Sequence, residues 1–542
     1  MPEVLTPRAA EQLLRPHRKT PTVLAAMRAH LHETGRGANI IGDGQSQVTG
    51  ICLDSRAVLP GDLYIAAPGA KFHGVQFAQA AATAGAAAIL TDMEGEVAAS
   101  TLGLPLLLVE DVREVIGELS ALVYGTDVKC PELFALTGTN GKTTTTYMIR
   151  SILRALGRET GLVGTIEIAA GETPIPSILT TPEAPQLHGL MARMSEMGVN
   201  AAAMEVSSHS LSYKRVDGLR FAVSGFTNLT QDHLDLHGSM EEYFDTKAVL
   251  FDLERSDRAV ITIDDAWGVA MAEQATAQVW TLASDESNTA ADWRIAQVVS
   301  QGLGYGFELH GPDEAVLRLN TGLPGDFNIS NAALAALMVL ASGVPLARLQ
   351  EVLDMHNPLT VEVPGRMQVI AERPAAIVDF AHNPDALARA LNSVRSPVPG
   401  SKVIVVFGAT GERDATKRPI MGAVAAAHAD VVIVTDDDPH SEDPAPIRAA
   451  ILEGARAEIA EKSLTSEVLE VFPRASAIAA AVAMAGENDT ILVAGRGHEV
   501  FQEVMGVNLE LDDREELRQA LLLNGFRPLS QGLGSFDAKE KG

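Results

Sequence analysis

The sequence predicts an α/β protein of three domains: a smaller N-terminal α/β domain, a central doubly wound sheet built on a P-loop, and a C-terminal Rossmann-like sheet. Three observations carry that expectation. Short β-branched runs alternate with Ala- and Leu-rich helical patterns, as in Leu133–Thr137, Ala259–Ile263, Val403–Phe407, Val431–Thr435 and Ile491–Ala494; near-continuous apolar strands of this length belong to parallel sheets covered on both faces. The chain has 542 residues, which at roughly 100–200 residues per domain suggests about three domains. Two segments, Gly125–Pro131 and Val361–Arg366, place Pro or Gly between periodic stretches and read as linkers. The expected domains are therefore 1–128, 129–362 and 363–542. The last is bounded by its own four-strand pattern from Ala375 to Ala494, and beyond Leu523 the chain becomes a polar, Gly- and Lys-rich tail for which disorder is expected.

Composition narrows the function. With 46% hydrophobic and 21% charged residues the chain is that of a folded protein. Its 42 Lys+Arg against 70 Asp+Glu give a net charge of −28, so a nucleic-acid duplex or an anionic membrane surface would repel it. A phosphorylated substrate must then be held by a local positive pocket. Cys52 and Cys130 are too few for a disulfide framework or a Cys-based zinc site, and are expected to be buried, reduced thiols. The first twenty residues carry Arg8, Arg15, His17, Arg18 and Lys19 with no apolar stretch to follow. The longest uncharged stretch, Asn331–Leu346, is broken by Ser342-Gly343 and Pro345, whereas a membrane helix needs about 20 apolar residues. A cytoplasmic protein without membrane insertion is expected.

The first chemical motif follows the strand Leu133–Thr137. Gly138-Thr139-Asn140-Gly141-Lys142-Thr143-Thr144 opens a helix whose apolar residues Met148, Ile149, Ile152, Leu153 and Leu156 share one face before Gly157 ends it. Glycines let backbone N–H groups turn around phosphate oxygens, the helix N-terminus adds partial positive charge, Lys142 reaches the terminal phosphates, and Thr143 can ligate Mg²⁺. The generic pattern has Gly five residues before Gly141, where this chain has Leu136, so a plain glycine-rich turn is the bland alternative.

Two further sets lie where apolar strands end: Met204-Glu-Val-Ser-Ser-His209, and Thr227–Asp235 after Phe221–Phe226. Strand carboxyl ends form the ligand crevice of an open parallel sheet, so Glu205 becomes a candidate Mg²⁺ ligand. His233 is a weaker one, because a lone strand-end His is more often structural.

Together, Thr137–Thr144, Met204–His209, Asn228–His233, Tyr243-Phe-Asp-Thr-Lys247, Phe327-Asn328 with Asn331, and Asp379-Phe-Ala-His-Asn-Pro384 resemble the Mur ligases. The match is closest to the members that add the third, diamino acid residue. Leu53-Asp-Ser-Arg56 with Pro60-Gly-Asp62 resembles their N-terminal signature, and Gly411–Asp414, Lys417-Arg-Pro419 and Gly495-Arg-Gly-His-Glu499 their C-terminal one. The resemblance runs from about Val48 to about Arg518.

The resemblance implies an ATP-dependent amide ligase of peptidoglycan synthesis. Such an enzyme phosphorylates the carboxylate of UDP-N-acetylmuramoyl-L-alanyl-D-glutamate to an acyl phosphate, which a diamino acid then attacks. It implies that Lys142, Thr143 and the rest of the loop hold ATP and Mg²⁺, that Glu205 and His233 ligate metal, and that Lys247 is carbamylated into a carboxylate-like ligand. Spacing alone would make Lys247 a solvated helix lysine beside Glu241 and Glu242. Leu53 and Ser55 would meet the uridine, Thr180, Thr181 and Ser207 the phosphate or peptide, and Arg215 the acidic peptide, as hydroxyls and an Arg suit pyrophosphate and carboxylates. Asn328 and Asn331 would meet adenine, and Arg366 and Asp379 the ribose and phosphates. Arg413, Gly495 and Glu499 match positions around the incoming amino acid. Phe380 stands where the family usually has Tyr.

Two other readings compete. A folylpolyglutamate-type ligase would share the fold but lack the Leu53–Arg56 domain. A silent nucleotide-binding protein would have no need to keep Lys142, Glu205, His233 and Lys247 together.

The incoming amine is read from Thr435-Asp-Asp-Asp-Pro-His440. Relatives that add meso-diaminopimelate typically have Asp-Asn-Pro-Arg where this chain has Asp437-Asp438-Pro439-His440. An amide has become an anion, and a permanent cation a group mostly neutral at pH 7. L-lysine is therefore the expected substrate, with L-ornithine next. Arg413 could still serve a far carboxylate, which would let diaminopimelate through.

Overall fold

The computed structural model describes residues 6–69, 71–175, 181–232 and 237–530. The chain forms two compact units: one of 1–298, 307–320 and 330–359, the other of 299–306, 321–329 and 360–542. Of the tail expected to be disordered beyond Leu523, residues 524–530 are instead placed, with Phe526 packed against the core that holds Ile370 and Leu529 N–H donating to Ile370 O at 2.8 Å; the rest lies outside the described residues.

Among the described residues the first unit carries two sheets of more than two strands. The N-terminal one has strands β1 (Ala38–Ile41), β2 (Gly50–Cys52), β3 (Asp62–Ile65), β4 (Ala88–Thr91) and β5 (Leu106–Val109), in the order β1-β5-β4-β3-β2. All neighbours are parallel except β1 with β5. The central sheet has a parallel core of β6 (Glu132–Thr137), β7 (Thr160–Val163), β8 (Ala201–Glu205), β9 (Phe221–Phe226), β10 (Ser256–Thr262) and β11 (Gln278–Ala283), in the order β7-β8-β6-β9-β10-β11. Further strands at either side extend it to eleven.

These two sheets are bound together by an N-terminal clip that sequence patterning did not suggest. Helix α1 (Pro7–Leu14) ends at Arg15, which is buried and pairs with Asp62 of β3 and with Glu11, and donates to the Ile51 carbonyl at 2.9 Å. Leu14 enters the central core beside Leu187 and Leu190. Glu11 accepts from Gln186 at 2.9 Å, and Glu196 accepts from the backbone N–H groups of His17 and Arg18 at 2.8 and 2.7 Å. A third tie is Gly117, where any Cβ would run into the Asp217 carbonyl.

The second unit carries β12 (Gln368–Glu372), β13 (Ala375–Asp379), β14 (Val403–Phe407), β15 (Val431–Val434), β16 (Glu467–Glu470) and β17 (Thr490–Ala494), in the order β12-β13-β17-β14-β15-β16, parallel after the first pair. Alternate residues of β14 enter opposite cores: Val403, Val405 and Phe407 one, Ile404 and Val406 the other. Both faces are covered, as the continuous apolar run requires. A separate antiparallel hairpin, β18 (Phe501–Val504) with β19 (Val507–Glu510), follows.

Among the described residues no helix is long and apolar enough to cross a membrane. Cys52 is buried, but Cys130 is only half-buried, a correction to the expectation for that thiol.

Candidate active site

In the first unit, β6 delivers the glycine loop to the start of helix α2 (Lys142–Ala155). Gly138 and Gly141 have φ of 139° and 90°, which L side chains rarely adopt. A Cβ at Gly138 would also collide with the Thr227 hydroxyl, and one at Gly141 with the Asn331 amide. The segment after β9 braces the loop: Thr139 N–H donates to Asn228 O at 2.9 Å, Asn140 N–H to Asn228 Oδ1 at 3.0 Å, and the Thr227 hydroxyl to Asn140 O at 2.6 Å. The Lys142 ammonium folds over the loop onto the Gly138 and Thr139 carbonyls at 2.9 and 2.8 Å. Thr144 is buried in the first turn.

Lys247 is not a solvated helix lysine. It sits near the end of the helix Met240–Ala248 at 1% exposure, donating to Gly138 O at 3.1 Å and to the Thr137 hydroxyl at 3.4 Å, with its nitrogen 4.6 Å from the Tyr243 ring centre. Burial and the neighbouring Lys142 hold its pKa well below the usual lysine range, with Asp232 opposing.

Glu205, at the end of β8, is 1% exposed. Its carboxylate accepts from the Thr143 hydroxyl at 3.0 Å and from the backbone and hydroxyl of Thr165 at 2.8 and 3.1 Å. Thr181 donates to the Glu205 carbonyl at 3.0 Å. Arg215 pairs with Glu183 at 2.8 Å, reaches the Thr181 carbonyl at 3.4 Å and lies over the Tyr213 ring. Ser207 caps the short helix that follows β8. Thus Lys142, Thr143, Thr181, Glu205, Ser207, Arg215 and Lys247 gather at the strand ends β6, β8 and β9. Leu53 and Ser55 stand apart from them, half-buried in the loop after β2. Thr180 and His233 lie outside the described residues, and among the described residues no group of three or more His, Cys, Asp or Glu is placed to hold a metal.

In the second unit Asn328 is buried and donates to the Pro324 carbonyl at 2.6 Å. Asp379, at the end of β13, accepts from the Met367 and Ala381 N–H groups at 2.7 and 2.9 Å, and burial pushes its pKa up. The Arg366 guanidinium stacks 4.2 Å from the Phe380 ring centre.

The loop after β15 differs from its sequence reading in one respect. The Asp438 carboxylate is not free: it pairs with Arg496, which is fully buried and also donates to Phe501 O. The anion that the sequence reading left free at Asp438 to favour L-lysine is therefore compensated, a correction to that expectation. Negative charge nevertheless remains in surplus. Glu499 is pushed up to about 8 by burial and by Asp437 and Asp438, with Arg496 and Arg474 opposing. Arg474 is spent on a fully buried pair with Asp513 at 2.7 Å. At Gly495, φ is 114° and a Cβ would meet the Asp437 carboxylate. Arg413 is exposed, in a segment whose Gly411 N–H donates to Asp438 O at 2.8 Å.

Sequence reasoning passed over Thr165, Arg496, Gln502 and Glu503. Thr165 lies just past β7 and could have been found by the strand-end rule applied to Glu205. Arg496 stood inside a quoted motif without a role. Gln502 and Glu503 gave no local signal.

Fold and loop together define an α/β protein with a strand–glycine loop–helix unit of the phosphate-cradling kind. The Mur ligase catalytic domain matches residues 47–124, the Mur ligase middle domain 136–339, and the Mur ligase glutamate ligase domain 365–497. A UDP-N-acetylmuramyl-tripeptide synthetase of Leifsonia xyli subsp. xyli is 42% identical over 90% of this chain and 95% of its own. A UDP-N-acetylmuramoyl-L-alanyl-D-glutamate--2,6-diaminopimelate ligase of Streptomyces coelicolor is 43% identical over 88% and 93%. A solved structure of a ligase of that second description aligns with TM-score 0.65 and 29% identity over 94% of this chain and all of its own. The chain belongs to the Mur ligase family.

Proposed function

We propose that the protein is the ATP- and Mg²⁺-dependent ligase that joins a diamino acid to the D-glutamate carboxylate of UDP-N-acetylmuramoyl-L-alanyl-D-glutamate, in the cytoplasm, with domains 1–128, 129–362 and 363–542. The observation that carries it is the joint placement of Lys142, the Thr143–Glu205 pair and Lys247 around one loop. The named relatives support the third-residue step.

A carboxylate is a poor acylating agent, so its oxygen attacks the γ-phosphorus of ATP, ADP leaves, and the acyl phosphate is then opened by the amine with loss of phosphate. Loop N–H groups and Lys142 hold the phosphates and neutralise charge as it develops. The oxygen donors Thr143 and Glu205, 3.0 Å apart, suit Mg²⁺, which when bound would neutralise the transferring phosphoryl group. His233 is proposed as a further metal ligand. A neutral Lys247 amine can add to CO₂, forming an N–C bond and losing a proton, and the carbamate would supply an anionic oxygen beside Gly138. Leu53 and Ser55 bind uridine; Thr180, Thr181, Ser207 and Arg215 the pyrophosphate and peptide; Asn328, Asn331, Arg366 and Asp379 the nucleotide.

For the amino acid, L-lysine is favoured by charge. The carboxylates of Asp437, Asp438 and Glu499 outnumber the cation left to them, Arg496, and a substrate of net charge +1 reduces that excess. The second reading, 2,6-diaminopimelate, is favoured by the names of the relatives and by the exposed Arg413. Phosphate release from ATP, Mg²⁺ and the UDP-dipeptide should require an amino acid, and kcat/KM for L-lysine, L-ornithine and meso-diaminopimelate ranks the readings. No release with any diamino acid overturns the ligase assignment.

A further inference from the structure

The β18–β19 hairpin is fastened to the loop Asp437–His440 at every residue but the proline. Gln502 donates to the Asp437 carbonyl at 2.5 Å, and Glu503 N–H to the Asp438 carboxylate at 3.1 Å. His440 N–H donates to Glu503 O at 3.2 Å, and Met505 N–H to His440 O at 2.6 Å. His440 itself has φ of 51°, a left-handed conformation that non-glycine residues rarely adopt and keep only where the surroundings impose it. The two backbone bonds from the hairpin impose it here.

One side-chain contact goes beyond bracing. His440 Nδ1 lies 2.8 Å from Glu503 Oε2. An ionised carboxylate can only accept, so Nδ1 must carry the proton. Nε2 is then the nitrogen left to meet a ligand: neutral, it offers a lone pair to an ammonium; protonated, it offers N–H to a carboxylate.

We propose that Glu503 is a positioning residue for selection of the incoming amino acid, acting through His440 by fixing the ring's orientation and the proton on Nδ1. This rests on the reading of 437–440 as part of the amino-acid site. Glu503 touches no reacting atom, and its side chain is 42% exposed, so its removal leaves no buried orphan.

The test measures steady-state kinetics of the full-length protein with L-lysine and meso-diaminopimelate, for the wild type, Glu503→Ala, Glu503→Gln, His440→Ala and the His440→Ala/Glu503→Ala double variant. Glu503→Ala should raise the KM for the preferred amino acid about tenfold, as for loss of one charged hydrogen bond, and narrow the ratio of kcat/KM between the two amino acids. The KM values for ATP and UDP-dipeptide, and the melting temperature, should stay in place. Glu503→Gln keeps an acceptor for Nδ1–H and should recover most of the KM. In the His440→Ala background Glu503→Ala should change nothing more. Unchanged KM and preference in Glu503→Ala overturn the proposal, as does an equal further loss in the double variant, or a parallel rise of all three KM values with a lowered melting temperature. A wild type that is inactive with both amino acids sinks the site reading itself, which separates the two failures.

Discussion

Thr143 gives its hydroxyl hydrogen to Glu205 across 3.0 Å, joining the first turn of the loop helix to the end of a neighbouring strand. Two oxygen donors from elements far apart in sequence are thereby set side by side. Glu205→Gln keeps the size and an acceptor for Thr143 but removes the charge. Its expected effect is a rise in the Mg²⁺ concentration needed for half-maximal phosphate release, with the melting temperature little changed. An unaltered Mg²⁺ dependence would remove Glu205 from the metal site.

Lys142→Ala should abolish turnover without unfolding the protein, because the side chain lies over the loop and fills no core. Loss of one such contact costs about 2–4 kcal/mol in the transition state. Near-normal kcat would reject the loop assignment.

Lys247→Ala should be inactive, and a small added carboxylic acid should restore part of the activity by supplying the missing oxygens. Lys247→Arg should resist rescue, since a guanidinium fills the space as a cation. The buried position and the lowered pKa favour the neutral amine, the form that reacts with CO₂. Full activity of Lys247→Ala would return the residue to a packing role.

Asp438→Asn combined with His440→Arg should move preference toward meso-diaminopimelate. The pair removes an anion and adds a fixed cation, and Arg496, which holds Asp438 in the wild type, gains freedom to meet a carboxylate. The ratio of kcat/KM for L-lysine and meso-diaminopimelate measures the shift. A wild type that already prefers diaminopimelate, or a double variant with the wild-type ratio, refutes the charge argument.

Glu499 predicts a pH dependence. Its folded pKa is raised to about 8 from the usual 4.5, so between those values the folded protein holds a proton that the unfolded chain has released. Stability from this group is full below about pH 4.5 and is lost as pH rises through about 8. The free protein should melt lower at pH 8.5 than at pH 6, and Glu499→Gln should flatten that difference. Binding of an ammonium ionises Glu499, so amino-acid binding should release protons near pH 7 and tighten as pH rises toward 8. A binding enthalpy independent of buffer ionisation would contradict it.

How much was legible depended on how local each cause was. The glycine loop, its strand and its helix are contiguous, so spacing sufficed. The strand-end rule found Glu205 because β8 is a clean apolar run. The burial of Lys247 was hidden, since its own helix shows Glu241 and Glu242 and only packing against Tyr243 and the loop buries the amine. The charge at Asp438 was misjudged because its partner, Arg496, comes from beyond another strand. The Glu503 contact depends on a hairpin docking edge-on to a loop, and no periodicity in either segment encodes that.

The Arg15 clip has a consequence for cooperativity. One guanidinium serves β2 and β3, while the helix that delivers it inserts Leu14 among the central helices. The buried Asp62 carboxylate would lose its cation if the helix peeled away with Arg15, and a buried charge left unpaired is costly. Neither sheet can loosen alone without exposing that debt. The N-terminal sheet and the glycine-loop sheet are thus built to fray together, a mechanical unity that helices packed side by side would not impose.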